Sequence, residues 1–258
     1  HDYYSVGGGD IYYVSADNEI MKLNIATGEE EMLVNINDEI ERMAAEDDPN
    51  SREDNIYLDG GRVNQVFYDK YRSRVIVCIS FNASGSGNYT IQNGQLQEIM
   101  PERRGIRSLM VSLPDNKIMT ADSIIDAETG EEISSFESLE TETWGYGDVL
   151  GAYYDDGKVY YEILPTNGNI STFHSYDFLN RETIIGSAKS VAYSNGVCYV
   201  LFNDIGIYNT SGAKKDSIAF SDIEIRDMVP NIEGQLICSD TGELLLFNGN
   251  TFRIIKKN

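Results

Sequence analysis

Three groups of residues have types and spacings that could carry chemistry. Arg103, Arg104 and Arg107 fall together in PERRGIR, a basic spot inside an acidic chain. Guanidinium groups that close together can hold a carboxylate or sulfate through paired hydrogen bonds, although salt bridges to the many nearby acids would use the same groups. The stretch 46–54, EDDPNSRED, concentrates oxygen ligands in Glu46, Asp47, Asp48, Asn50, Glu53 and Asp54. Calcium takes six to eight oxygens, so Asp47, Asp48, Asn50 and Asp54 are candidate calcium ligands, with a solvated acidic loop as the plain alternative. The spacing is not that of an EF-hand. The segment SLETETWGYG (138–147) holds the one tryptophan, Trp144, with Tyr146 two residues on. Exposed aromatics of this kind stack on sugar rings or clasp peptides; set between glycines, they can equally fill a gap in the fold.

Signals for catalysis are sparse. There are two histidines: His1 at the start of the chain and His174 in the strand-like ISTFHSYDF. No GxSxG, HExxH or phosphate-binding loop occurs. The glycines at 85 and 87 lie in a hairpin pattern rather than between a strand and a helix, which argues against a nucleotide site. Paired carboxylates for glycoside hydrolysis remain open, because their separation in space decides the matter.

The elements that must position these residues repeat. The phrase is strand, Gly or Asn turn, strand, loop, strand, second Gly or Asn turn, strand. Its clearest copy is GGGDIYYVSADNEIMKLNIATGEEEML (7–33), and others begin near residues 74, 117, 157, 196 and 234. Short β-branched and aromatic runs bounded by turn residues read as strands. Gly9, Asn116, Gly157, Gly196 and Gly234 mark the turns between first and second strands, with Asp69–Ser73 in their place in the second copy. Gly28, Gly94, Gly130, Asn180, Gly212 and Gly249 mark those between third and fourth. A period of roughly 40 residues with four strands per copy is that of a propeller blade. The expected architecture is all-β: one six-bladed β-propeller of four-stranded antiparallel blades over 1–258. The blades fall at about 3–36, 62–100, 106–137, 147–186, 188–220 and 224–256, with an acidic insertion at 37–61 whose first part, 38–45, suits a short helix. A β-sandwich or two small β domains is the competing arrangement.

The phrases LNIATGEE (23–30) and IDAETGEE (125–132) resemble the repeat of quinoprotein-type and related bacterial propellers, in which a strand, an Asp-x-x-Thr-Gly-Lys/Glu turn and a strand close each blade. The resemblance implies the propeller fold. The tryptophan that ends the quinoprotein repeat is missing from all six copies, so no functional residue and no quinone cofactor is carried over.

Composition narrows the partners. The 258 residues include 42 acidic and 20 basic side chains, for a net charge of −22. A field of that sign repels phosphate backbones and anionic lipid, which disfavours nucleic acid and membrane surfaces as partners. No apolar run approaches the roughly 18 residues of a membrane span. Cys78, Cys198 and Cys238 sit in apolar strand-like runs without a CxxC pair, the pattern of buried free thiols. No signal peptide is evident, and a start at His1 fits a trimmed or mature form.

In a propeller the first-to-second and third-to-fourth turns share one face, and the remaining connections share the other. Here the second set holds the long pieces: 34–61, 81–88, 100–106, 137–147 and 162–170. Loops on a rigid scaffold tend to carry function. The expectation is a non-catalytic, monomeric binding module from a bacterial exported or surface protein, with a glycan, a peptide or a partner protein held on the long-loop face by Trp144, Tyr146, Arg103, Arg104 and Arg107. The alternatives are a carbohydrate-active hydrolase or lyase with a carboxylate centre on that face, and a purely structural domain.

Overall fold

The computed structural model describes residues 4–46, 60–81, 85–101, 109–139, 141–142, 145–165, 168, 170–219, 227–230, 236–240, 243–247 and 252–257. They divide into two compact units, residues 1–136 and 137–258.

The first unit holds three sheets. Strands β1 (Tyr4–Gly7), β2 (Asp10–Val14), β3 (Glu19–Asn24) and β4 (Glu30–Asn35) form one, and the helix α1 (Ile36–Glu46) follows directly. Next come β5 (Gly61–Asp69), β6 (Arg74–Phe81), β7 (Ser86–Gln92) and β8 (Gln95–Ile99), then β9 (Val111–Leu113), β10 (Lys117–Met119), β11 (Ser123–Asp126) and β12 (Glu132–Ser135). The second unit holds β13 (Thr141–Glu142), β14 (Gly145–Asp155), β15 (Lys158–Pro165), β16 (Ser171–Tyr176) and β17 (Arg181–Ala188) in one sheet. Two more follow: β18 (Ser190–Ser194), β19 (Val197–Leu201), β20 (Ile205–Asn209) and β21 (Lys214–Ile218); and β22 (Asp227–Pro230), β23 (Leu236–Asp240), β24 (Glu243–Phe247) and β25 (Phe252–Lys257). Within every sheet, strands consecutive in the chain are neighbours and all pairs are antiparallel.

The expectation of six four-stranded blades needs a correction. Five of the sheets are four-stranded; the one spanning 141–188 has five strands. The extra strand is made by Thr141 and Glu142 folding back on Tyr146 and Gly145. A stretch expected as a loop around Trp144 is thus partly a hairpin, attached to the first strand of its blade. Its two-residue strand is too short to show a period of two in the sequence.

The apolar runs explain how sheets stack. In VIVCI (75–79) every residue is buried, because β6 is covered on both faces. Val75, Val77 and Ile79 join the core shared with Tyr12, Ile20 and Val34 of the first sheet. Ile76 and Cys78 point the other way, to Met110 just before β9 and to Ile118 and Ile125 of the third sheet. In the second unit, Tyr160 and Phe173 pack on Val191 and Tyr193 of the next sheet, and Ala192 and Leu201 continue to Met228 and Leu245. The fourth strand β12 is exposed along its whole length, while Ile125 on the neighbouring β11 is buried.

Turn chemistry holds the hairpins. Asn24 Oδ1 accepts from the Ala26 and Thr27 amides, and Asp126 Oδ1 from those of Glu128 and Thr129, so the two LNIATGEE-like phrases build one turn. Gly212 sits at φ 76°, and a Cβ there would meet the Ile184 carbonyl oxygen at 2.6 Å, so both backbone and space require glycine. One expected position differs. The positive φ of the β16–β17 turn falls on Phe178 (68°), not Asn180. Asp177 Oδ1 accepts from the Leu179 and Asn180 amides, and this fixes the turn with Phe178 in the left-handed region.

Candidate binding face

The two ends of the sheets differ in what they carry. The end with the tight turns is locked by polar groups. Asp69, the last residue of β5, is fully buried and accepts from Arg72 Nη1 at 2.7 and 2.8 Å, from Arg74 Nε at 3.2 Å and from Ser112 Oγ at 2.6 Å. Arg72 also donates to the Lys117 carbonyl, and Arg74 to the Ala127 carbonyl and Glu128. The second and third blades are joined there through charge-assisted hydrogen bonds.

The second unit repeats the device with other residues. Asp155 closes β14 and accepts from the phenol of Tyr193, on β18 of the next blade, at 2.6 Å. The same oxygen of Tyr193 accepts from the Gly196 amide at 3.1 Å. Burial, then the Asp155 bond, push the Tyr193 phenol far above the ordinary tyrosine range. Neither aspartate stands out in the sequence; the signal available was an Asp just before a tight turn, in FYDKYRS and YYDDGK.

The opposite end, in the second unit, carries exposed apolar side chains. Ile170 (51 % exposed) precedes β16, and Phe202 (38 %) follows β19. Backbone pairing brings these positions together. Ser171 pairs with Ala188, and the Lys189 amide donates to the Leu201 carbonyl at 2.9 Å. Ile170, exposed Lys189 and Phe202 are therefore adjacent to three consecutive links of one backbone path. Two exposed apolar side chains on neighbouring loops make this end a candidate contact surface. Other exposed large apolar residues are scattered: Leu179 and Tyr71 lie at the tight-turn end, and Met32 and Ile133 on outermost strands.

Trp144, Arg103, Arg104, Arg107, Asp47, Asp48, Asn50 and Asp54 lie outside the described residues, as does the side chain of Tyr146, whose backbone belongs to β14. Among the described residues, no three His, Cys, Asp or Glu side chains come together as a metal site. His174 is buried in β16, with Nε2 2.7 Å from Thr172 Oγ1 and Nδ1 3.2 Å from Thr183 Oγ1, its ring stacked on Tyr161. Glu39, Asp126 and Asp177 are each held below the usual carboxylate range. For Asp126 and Asp177 the main cause is hydrogen bonding from turn amides.

The described sheets overlay a solved structure of an acylaminoacyl peptidase from Pyrococcus horikoshii with a TM-score of 0.54 and 10% identity, covering 100% of this chain and 46% of the peptidase. The fold is a β-propeller. The chain spans less than half of that peptidase, and at this identity the likeness is one of fold alone. Two other structures overlay less well. Saccharomyces cerevisiae Sqt1 gives a TM-score of 0.49 at 11% identity, over 99% of this chain and 73% of that one. The WD40 β-propeller domain of Doa1 gives 0.45 at 14% identity, over 93% and 90%. No family model matches the sequence, and no curated protein matches it.

Proposed function

We propose that this propeller is a non-catalytic interaction module that holds a protein ligand at its long-loop end. The observation that carries this reading is the division of labour between the two ends of the blades. At two of the tight turns, Asp69 and Asp155 are taken up in bonds that join neighbouring blades. Ile170 and Phe202 at the other end remain open to solvent on adjacent blades. Exposed apolar side chains at the ends of rigid strands contribute contact area at low ordering cost, which favours a protein surface or peptide over a small polar ligand. Aromatic Trp144 and Tyr146, from the segment 138–147, would extend such a surface, and a glycan stacked on them is the alternative ligand.

The test is a binding screen on arrayed peptides and arrayed glycans. Ile170→Asp/Phe202→Asp is expected to lose the peptide signal, while Leu179→Asp, at the tight-turn end, keeps it. Signal lost with Leu179→Asp and kept by the double variant would place binding at the wrong end. Signal on glycans alone, abolished by Trp144→Ala, would replace the protein ligand by a sugar.

A further inference from the structure

The fourth strand of a blade has an outer edge with no further strand to pair with, and such edges are templates for strand addition. Of the six described ladders between third and fourth strands, five are broken by a register shift. The breaks fall between Ile20 and Met21, Ile124 and Ile125, Ile207 and Tyr208, Leu244 and Leu245, and on both sides of Phe173. A bulge twists an edge strand away from the flat geometry that pairing needs. The β7–β8 ladder has no break; it runs in register from Asn88 opposite Ile99 to Gln92 opposite Gln95. The strand β8, QLQEI, carries a single charge, Glu98.

That unbroken edge is the one α1 covers. Glu39 Oε2 accepts from the Leu96 amide at 2.7 Å, and Arg42 Nη2 donates to the Leu96 carbonyl at 3.2 Å. The two side chains are tied to each other, Arg42 Nη2 to Glu39 Oε2 at 2.8 Å and Arg42 Nε to both carboxylate oxygens at 3.1 and 3.2 Å. A carboxylate and a guanidinium thus stand where a neighbouring strand would offer a C=O and an N–H. Ile36 and Ile40 anchor the helix in the same apolar core as Leu96.

We propose that α1 is an intramolecular guard of the β8 edge, and that this edge, once uncovered, pairs antiparallel with the β8 edge of a second copy of the chain. Because the Leu96 N–H and C=O point away from β7, the alternation of an antiparallel ladder sends those of Glu98 outward too, while Gln97 bonds toward Thr90. Self-pairing centred on Gln97 sets Leu96 opposite Glu98 of the second copy. The two Glu98 carboxylates then do not oppose each other, and a closed two-fold dimer results.

The experiment uses the full chain with Glu39→Ala/Arg42→Ala, read by amide hydrogen exchange at Leu96 and by sedimentation over a range of concentrations. In dilute solution the Leu96 amide is expected to exchange at least about tenfold faster than in the wild type. At higher concentration a dimer is expected where the wild type shows none. Adding Glu98→Pro removes an outward N–H without touching the bonds to β7, and is expected to abolish the dimer. Glu39→Gln keeps an acceptor for Leu96 and is expected to stay monomeric. Should the double variant fail to fold, Arg42→Ala alone is expected to move both readings the same way by less. Unaccelerated exchange at Leu96, faster exchange without a dimer, or a dimer that survives Glu98→Pro would each overturn the proposal.

Discussion

Tyr193 and Asp155 join two successive blades through one short hydrogen bond, phenol to carboxylate at 2.6 Å, at the end of the sheets where the turns are tightest. Ser112 and Asp69 do the same between the second and third blades, also at 2.6 Å. In both cases an aspartate that ends the first strand of one blade receives a hydroxyl from the first strand of the next. The donor differs, serine in one and tyrosine in the other, while the geometry is kept.

Tyr193→Phe removes the donor to Asp155 and the acceptor for the Gly196 amide, yet keeps the ring stacked 4.1 Å from Tyr160. The expected loss is about 1–2 kcal/mol, since packing is spared and hydrogen bonding is not. Urea unfolding of the two proteins checks it; equal midpoints would show that the bond contributes nothing to stability.

Asp69→Ala is expected to cost more, about 3–5 kcal/mol, because it leaves Arg72 and Arg74 beside a buried site without their shared carboxylate. Asp69→Asn, which can still accept from Ser112, is expected to fall between. The same unfolding measurement ranks the three, and an alanine variant as stable as wild type would rule out the network as a blade lock.

Acid is expected to weaken the helix that covers β8. Burial opposes the charge on Glu39, but the Arg42 hydrogen bonds, the Leu96 amide and the Arg42 charge outweigh it and hold the carboxyl below its ordinary value. A folded value below the unfolded one of about 4.3 means a stabilising contribution fully present above that pH and lost as pH falls through the folded value. Stability of the wild type should therefore drop on acidification below about pH 4. Glu39→Gln should be less stable at pH 7 and show a shallower acid limb; an identical limb in both proteins would assign the loss to other carboxylates.

Cys198 is expected to resist alkylation in the native protein at pH 8. Burial pushes its thiol up to about 12, so almost no thiolate forms, and the sulfur is shielded as well. Cys78 is likewise buried and donates to Asn88 Oδ1. Peptide mapping after alkylation, with and without denaturant, checks both: label on either residue without denaturant would mean that its strand opens readily.

The sequence by itself determined the strands and the turns, because both are local. Runs such as VIVCI report burial on two faces, and the Asn or Asp of LNIATGEE and IDAETGEE caps its own turn within three residues. The short helix expected over 38–45 is likewise present, as Ile36–Glu46. The fifth strand at Thr141–Glu142 escaped that reading, since two residues cannot display a period. Only the tertiary structure decided which side chains meet across blades. Glu39 reaches Leu96 over a separation of 57 residues and Ser112 reaches Asp69 over 43. Such contacts depend on how one sheet is rotated against the next, and no local pattern of apolar and polar residues records that rotation.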